Sequence, residues 1–357
     1  MDLLRALHRR EALSFSNISK PSMTTVFVTH PANRLDQYFG AKATEALRSV
    51  AQVRFNPFER DLTPQELVEL AADCEFIVAY RQTPADAALF AALPKLLAML
   101  RCAVDIRTID VPAASAAGVL VTQASAGFIA SVSEWILGVL IALCRHISSA
   151  TADYHAGQAP VPRMGRELRG ATLGLIGYGQ ISRYTANLAR AFGMQVLVFD
   201  PYANLAAEPG ITACTLSALL QQAEHVVCLA AATPETENLM NASTFAAMRA
   251  GATFINAARG NLVDEDALLA ALESGHLAGC ALDVGRAADQ MPSPALARHP
   301  LVIATPHIGG LTPGAIEHQA VETALQVQAL LHGQMPVGAV NPSDAKRLYA
   351  WRTGAAS

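Results

Sequence analysis

The chain has 357 residues, and at roughly 100–200 residues per domain that length fits about two domains better than one. Apolar residues make up 52% and charged residues 16%, which excludes a disordered chain, and a formal charge of −4 supplies no basic field for nucleic acid. The longest clean apolar run, 135–144, is too short to span a bilayer, so no membrane role is expected.

Residues 1–23 carry Arg5, Arg9, Arg10 and Lys20 but no continuous apolar stretch, and they read as a mobile extension rather than a secretory signal. From Thr24 onward, short β-branched runs alternate with helical patterns, the rhythm of parallel α/β layers. The first half predicts strands at 25–28, 76–79, 97–100 and 119–122. Helices open at Thr63-Pro64 and Thr83-Pro84, where a capping residue precedes a proline suited to the first helical turn. An apolar helix over about 129–147 follows, then a loose segment, 154–169, containing Gly157, Pro160, Pro162 and Gly165. A second series starts at Thr172, with strands at 172–176, 195–199, 225–229, 252–256, 279–283 and 301–305. Its helices fall at about 181–192, 217–222, 242–248, 265–274 and 313–332. The six cysteines sit singly in apolar surroundings with no CxxC pair, which reads as reduced thiols in a cytoplasmic protein, with no disulfide framework and no metal site.

The first chemical signal is Gly174-Leu-Ile-Gly177-Tyr-Gly179-Gln-Ile-Ser182, set between a predicted strand and a predicted helix. Gly177 permits a tight turn. Gly179, Gln180 and Ile181 bring main-chain N–H groups to a helix N-terminus, where a pyrophosphate is favoured. Ser182 stands where a third glycine is usual. Asp200 ends the next strand, 23 residues after Gly177, at the spacing of an acid that binds ribose hydroxyls and repels a 2′-phosphate. NAD is therefore expected rather than NADP.

Two further motifs follow in order. One is Ile255-Asn-Ala-Ala-Arg259-Gly260-Asn-Leu-Val263-Asp264; the other is Thr305-Pro306-His307-Ile308-Gly309-Gly310. With these, the sequence from about 24 to 342 resembles the D-isomer-specific 2-hydroxyacid dehydrogenase family. The resemblance implies an α/β fold of two doubly wound parallel-sheet domains. A Rossmann-type NAD-binding domain, 122–307, is inserted into a flavodoxin-like substrate domain, 24–121 with 308–345. It implies hydride transfer between NAD(H) and a small D-2-hydroxy acid or 2-keto acid, in a homodimer with the 129–147 helix at its interface. Arg259 would hold the substrate carboxylate and carbonyl through its planar fork of donors, and His307 would exchange the proton. By position, Thr233, Ala257, Asp283 and Gly309 would meet the cofactor, while Ala103, Val104 and Arg81 would meet the substrate. Ala103 and Asp105 replace glycines usual in that loop.

The sequence departs from the family at one catalytic position. Five residues after Asp283 the family carries a Glu that pairs with the histidine; here Ala288 stands there and Asp289 comes next. Two readings stay open: the Asp289 carboxylate replaces that Glu, or Asp289 is a solvated loop residue. Two other functions also stay open, an NAD-sensing interaction protein without turnover and a formate- or phosphite-type dehydrogenase. Ending at Ser357, the sequence is not expected to carry the additional C-terminal domains of feedback-regulated phosphoglycerate dehydrogenases.

Overall fold

The computed structural model describes residues 24–205 and 208–354; the expected N-terminal extension lies outside the described residues. The chain divides into two compact units, one within Met1–Ser125 and Glu317–Ser357, the other Ala126–Ile316. The sequence places these boundaries at 121/122 and 307/308. The first crossing lies later because Ser125 donates from its N–H and its hydroxyl to Glu322 Oε2, both at 2.7 Å, which keeps it with the first unit. The second lies later because the N–H groups of Ile308 and Gly309 bond the Asp283 carboxylate, within the second unit.

The first unit holds strands β1 (Thr25–Val28), β2 (Gln52–Phe55), β3 (Phe76–Ala79), β4 (Ala98–Arg101) and β5 (Leu120–Gln123). All pair in parallel, in the order β2-β1-β3-β4-β5, which is the flavodoxin type. β3 and β4 are buried along their whole length, as expected of central strands covered on both faces. The helix Pro64–Ala71 starts as expected: Thr63 and Glu66 form a reciprocal capping box. The helix expected at Thr83-Pro84 starts instead at Ala87, capped by Asp86. Thr83 is already committed elsewhere. Its hydroxyl lies 2.6 Å from Thr29 Oγ1, and its carbonyl accepts from the Arg101 guanidinium at 2.8 Å.

The second unit holds β6 (Thr172–Ile176), β7 (Gln195–Phe199), β8 (Thr212–Ala213), β9 (His225–Cys228), β10 (Ala252–Asn256), β11 (Leu277–Leu282) and β12 (Val302–Ala304). They form one parallel sheet in the order β12-β11-β10-β9-β6-β7-β8. The strand order reverses between β6 and β9, and in such sheets ligands bind beyond the carboxyl ends of the strands at that point. The helix expected over about 129–147 runs Ile129–Cys144, and a second helix, Ile147–His155, follows it after a bend of 71°. The break falls at His146, whose φ of 55° lies in the left-handed region and cannot continue a right-handed helix. Among the described residues, no single helix is long and apolar enough to cross a membrane.

Candidate active site

The glycine turn lies at the carboxyl end of β6. Gly177 has φ +89°, and a Cβ there would stand 2.8 Å from the Ala230 backbone that follows β9, so only glycine lets these two loops meet at the switch point. Gly179 opens the helix Gln180–Ala191, whose N-terminus no side chain caps, and a Cβ on Gly179 would meet nothing within 4 Å. Uncapped N–H groups at a helix N-terminus fit the pyrophosphate of a dinucleotide. Ser182 is fully buried, so the small residue packs closely, although its hydroxyl finds no partner among the described residues.

Asp200 follows β7 and binds the turn directly. Its Oδ2 accepts from the N–H of Tyr178 at 2.7 Å, and its Oδ1 accepts from those of Tyr202 and Ala203 at 2.8 and 3.1 Å. Arg183 pairs with Glu208 and lies 4.6 Å over the Tyr178 ring. Thr233 sits exposed in a turn after β9, where its N–H donates to Thr236 Oγ1 at 2.8 Å.

Arg259 follows β10. The half-buried Arg259 turn is shaped by Asn256, which the sequence reading passed over. This buried side chain accepts from the N–H of Ala258 at 3.1 Å and donates to the Arg259 carbonyl at 2.9 Å. Gly260 comes next, and a Cβ on it would overlap the Gly285 carbonyl of the loop after β11. The Arg259 loop and the β11 loop therefore cross in direct backbone contact.

His307 follows β12, half-buried, with φ 55°. A non-glycine residue held there marks a conformation that its surroundings impose. Asp283, 4% exposed, imposes it: the Thr305 hydroxyl donates to Oδ1 at 2.6 Å, the Ile308 N–H to Oδ1 at 2.8 Å, and the Gly309 N–H to Oδ2 at 2.7 Å. A Cβ on Gly309 would come within 2.8 Å of Oδ2. Asp283, expected at the nicotinamide, thus organises the histidine loop. Asp289 is exposed on the 3₁₀ turn after β11. The sequence leaves two readings of it open, a carboxylate that pairs with His307 or a solvated loop residue. The bond from His307 Nδ1 goes to its main-chain carbonyl, at 3.1 Å.

In the first unit, the half-buried Arg81 follows β3, and Ala103 and Val104 follow β4. Asp105 accepts from the Arg107 guanidinium at 2.6 Å. Beneath this loop lies Arg101, fully buried, another residue the sequence reading did not single out. Its guanidinium donates to the Tyr80 and Thr83 carbonyls and to Thr108 Oγ1, and burial pushes its pKa down to about 10. Burial, then the charge of Arg101, pushes the neighbouring His30 imidazole down to about 3. The available signal was an arginine inside the apolar run Met99-Leu100-Arg101-Cys102.

A parallel sheet with a glycine turn at its switch point and an acid at the end of the next strand defines an NAD-binding α/β protein. Residues 137–309 match the family model described as D-isomer specific 2-hydroxyacid dehydrogenase, NAD binding domain. The D-3-phosphoglycerate dehydrogenase of Rattus norvegicus is 35% identical over 287 residues, covering 79% of this chain and 54% of that protein. The chain spans about half the length of the curated relatives it matches. The structure of D-2-hydroxyisocaproate dehydrogenase superposes with a TM-score of 0.79 at 25% identity, over 89% of this chain and 100% of that one. D-lactate dehydrogenase with NAD+ from Lactobacillus jensenii gives 0.77 at 25% identity, over 89% and 99%. The chain belongs to the D-isomer-specific 2-hydroxyacid dehydrogenase family.

Proposed function

We propose that this protein interconverts a small D-2-hydroxy acid and its 2-keto acid with NAD(H). The observation that carries this reading is that Arg259, Asp289 and His307 follow three neighbouring strands, β10, β11 and β12, at the carboxyl edge of the sheet that carries the glycine turn. When bound, NAD supplies the hydride acceptor, and NADH the donor, for carbon 2 of the substrate. Gly179, Gln180 and Ile181 receive the pyrophosphate at the helix N-terminus, and Asp200 receives the ribose. Arg259 grips the substrate carboxylate and keto oxygen and stabilises the negative charge that grows on that oxygen during reduction. His307 takes the hydroxyl proton in oxidation and returns it to the oxygen in reduction. In the first unit, Ala103, Val104 and Arg81 are the candidate substrate residues. All six cysteines are unbridged, which supports a cytoplasmic setting, and family membership supports a homodimer.

The test is the fall in NADH absorbance with glyoxylate, hydroxypyruvate, pyruvate and bulkier 2-keto acids, plus 3-phosphoglycerate with NAD+ in the oxidative direction. We expect turnover with one of these, faster with NADH than with NADPH. Measurable NADH binding with no turnover on any of them would overturn the proposal and favour a sensor of the cofactor.

A further inference from the structure

The loop after β11 departs from the family pattern at one charged position, Ala288, where the pairing Glu is usual, and Arg286 lies two residues before it. The loop is closed on itself. The Gly285 N–H donates to the Gln290 carbonyl at 2.8 Å, and that of Ala287 donates to the Met291 carbonyl at 3.0 Å. Asp289 and Gln290 both lie in the left-handed region, at φ 55° and 59°. A Cβ on Gly285 would come within 2.5 Å of Pro292 Cα, so the closure leaves no slack. The loop is also pinned. Arg286 donates from Nε to the Val263 carbonyl at 3.0 Å and from Nη2 to Glu237 Oε1 at 2.8 Å and the Asn261 carbonyl at 3.0 Å. Its Nη2 also reaches Asn238 Oδ1, and its own N–H donates to Glu265 Oε1 at 2.9 Å. One residue thereby ties the β11 loop to the loops after β9 and β10, the second of which carries Arg259.

The product of this closure is one aimed group. The Asp289 carbonyl stands 3.1 Å from His307 Nδ1. A carbonyl only accepts, so Nδ1 carries the proton and donates. We propose that His307 is oriented for proton transfer by this main-chain carbonyl, and that Arg286 is the positioning residue that fixes it. The proposal rests on the reading of His307 as the acid/base. With Nδ1–H committed, Nε2 is the nitrogen that exchanges the substrate proton. In the neutral ring Nε2 is a lone pair that accepts the hydroxyl proton; in the charged ring it is an N–H that returns it. The Nδ1–H bond persists through both states, so the ring keeps one orientation through the cycle. Here the backbone does what a carboxylate side chain does in the usual pattern.

The test is the tautomer of His307, read by imidazole nitrogen NMR on histidine-labelled protein at a pH that keeps imidazoles neutral, with the signal assigned by its loss in His307→Gln. Asp289→Gly and Asp289→Asn remove the carboxylate, and both residues accept a φ of 55°. We expect the Nδ1–H form in the wild type and in both variants. In Arg286→Ala we expect a shift toward the Nε2–H form that rings adopt in water. On whichever 2-keto acid is accepted, kcat should fall about tenfold to a hundredfold, with KM for NADH within about twofold. Glu237→Gln, which weakens one anchor, should move both readouts the same way by a smaller step. A ring that reverts to Nε2–H in Asp289→Gly would overturn the proposal, because the carboxylate would then be the partner. A ring that stays Nδ1–H in Arg286→Ala, with kcat unchanged, would remove Arg286 from it. If the wild type turns over none of the acids, the proposed activity fails, while the tautomer still decides which group holds the ring.

Discussion

Asp283→Asn is the sharpest perturbation that the site offers. The wild-type carboxylate, 4% exposed, accepts from the Thr305 hydroxyl, the Ile308 N–H and the Gly309 N–H within 2.8 Å. Hydrogen bonds to a charged group contribute about 1.5–3 kcal/mol each, but three on one carboxylate do not add in full. The Asn oxygen can replace Oδ1 and keep the Thr305 and Ile308 bonds. Its NH2 then stands where Oδ2 was, and a donor faces the Gly309 donor 2.7 Å away. One charge-assisted bond is lost, one buried N–H is left unmet, and the other two bonds weaken to neutral strength. The expected cost is about 2–4 kcal/mol. Urea unfolding should show it as a lower midpoint at unchanged slope. Because the same bonds hold His307 at φ 55°, kcat should fall more than the KM for NADH rises. Stability within about 0.5 kcal/mol of wild type, with kcat within about twofold, would refute the view that Asp283 holds the histidine loop.

Acid sensitivity should come in part from His225, which lies between Thr253 Oγ1 at 2.8 Å and Cys144 Sγ at 3.8 Å. Burial, then the charge of Arg166, pushes its pKa from 6.5 down to about 4. As pH falls through 6.5 the unfolded chain takes up the proton before the folded one. The His225 contribution is therefore whole above 6.5 and is lost by about pH 4, for a total of roughly 3 kcal/mol. His225→Asn should flatten the stability–pH slope across that window by up to one proton; an unchanged slope would refute it. Gly177→Ala puts a Cβ at φ +89° and within 2.8 Å of the Ala230 backbone. The left-handed strain alone costs about 1–2 kcal/mol, so NADH affinity by fluorescence titration should weaken by about fivefold or more, and an unchanged Kd would contradict this reading of the turn.

How much of this could be read from the sequence depended on how local each signal is. Strands β1, β3, β6, β7 and β10 lie at their expected bounds, because each is a short apolar run ending near a turn residue. β2 was missed because Gln52–Phe55 is an edge strand with no buried residue, and its Arg54 pairs with Asp73 instead of extending an apolar run. The helix Ile147–His155 is not expected from the sequence, because Ser148, Ser149, Thr151 and Asp153 interrupt any apolar stripe. The Arg259 and His307 motifs were legible as contiguous strings. What holds them was not. The donors on Asp283 lie 22 to 26 residues away, and Arg286 reaches partners up to 49 residues away. The Asp289 carbonyl could not be inferred at all, since its direction comes from two successive left-handed residues.

The loops at the carboxyl edge of the second sheet share one physical problem. A parallel strand that ends in a turn leaves main-chain N–H groups unmet by the ladder, and burying them unpaired is costly. Polar side chains at the strand ends meet them: Asp200 after β7, Asn256 in β10 and Asp283 after β11. An acid at a strand end therefore has two claims on its oxygens, the loop and the ligand. A carboxylate offers about four lone-pair sites. Asp200 spends three on Tyr178, Tyr202 and Ala203, which leaves one, on Oδ2. One acceptor site beside a full negative charge suits a ribose hydroxyl and opposes a phosphate. The carboxylate binds the glycine turn, and on the proposed reading it also favours NAD over its phosphorylated form, so replacing it should loosen both together.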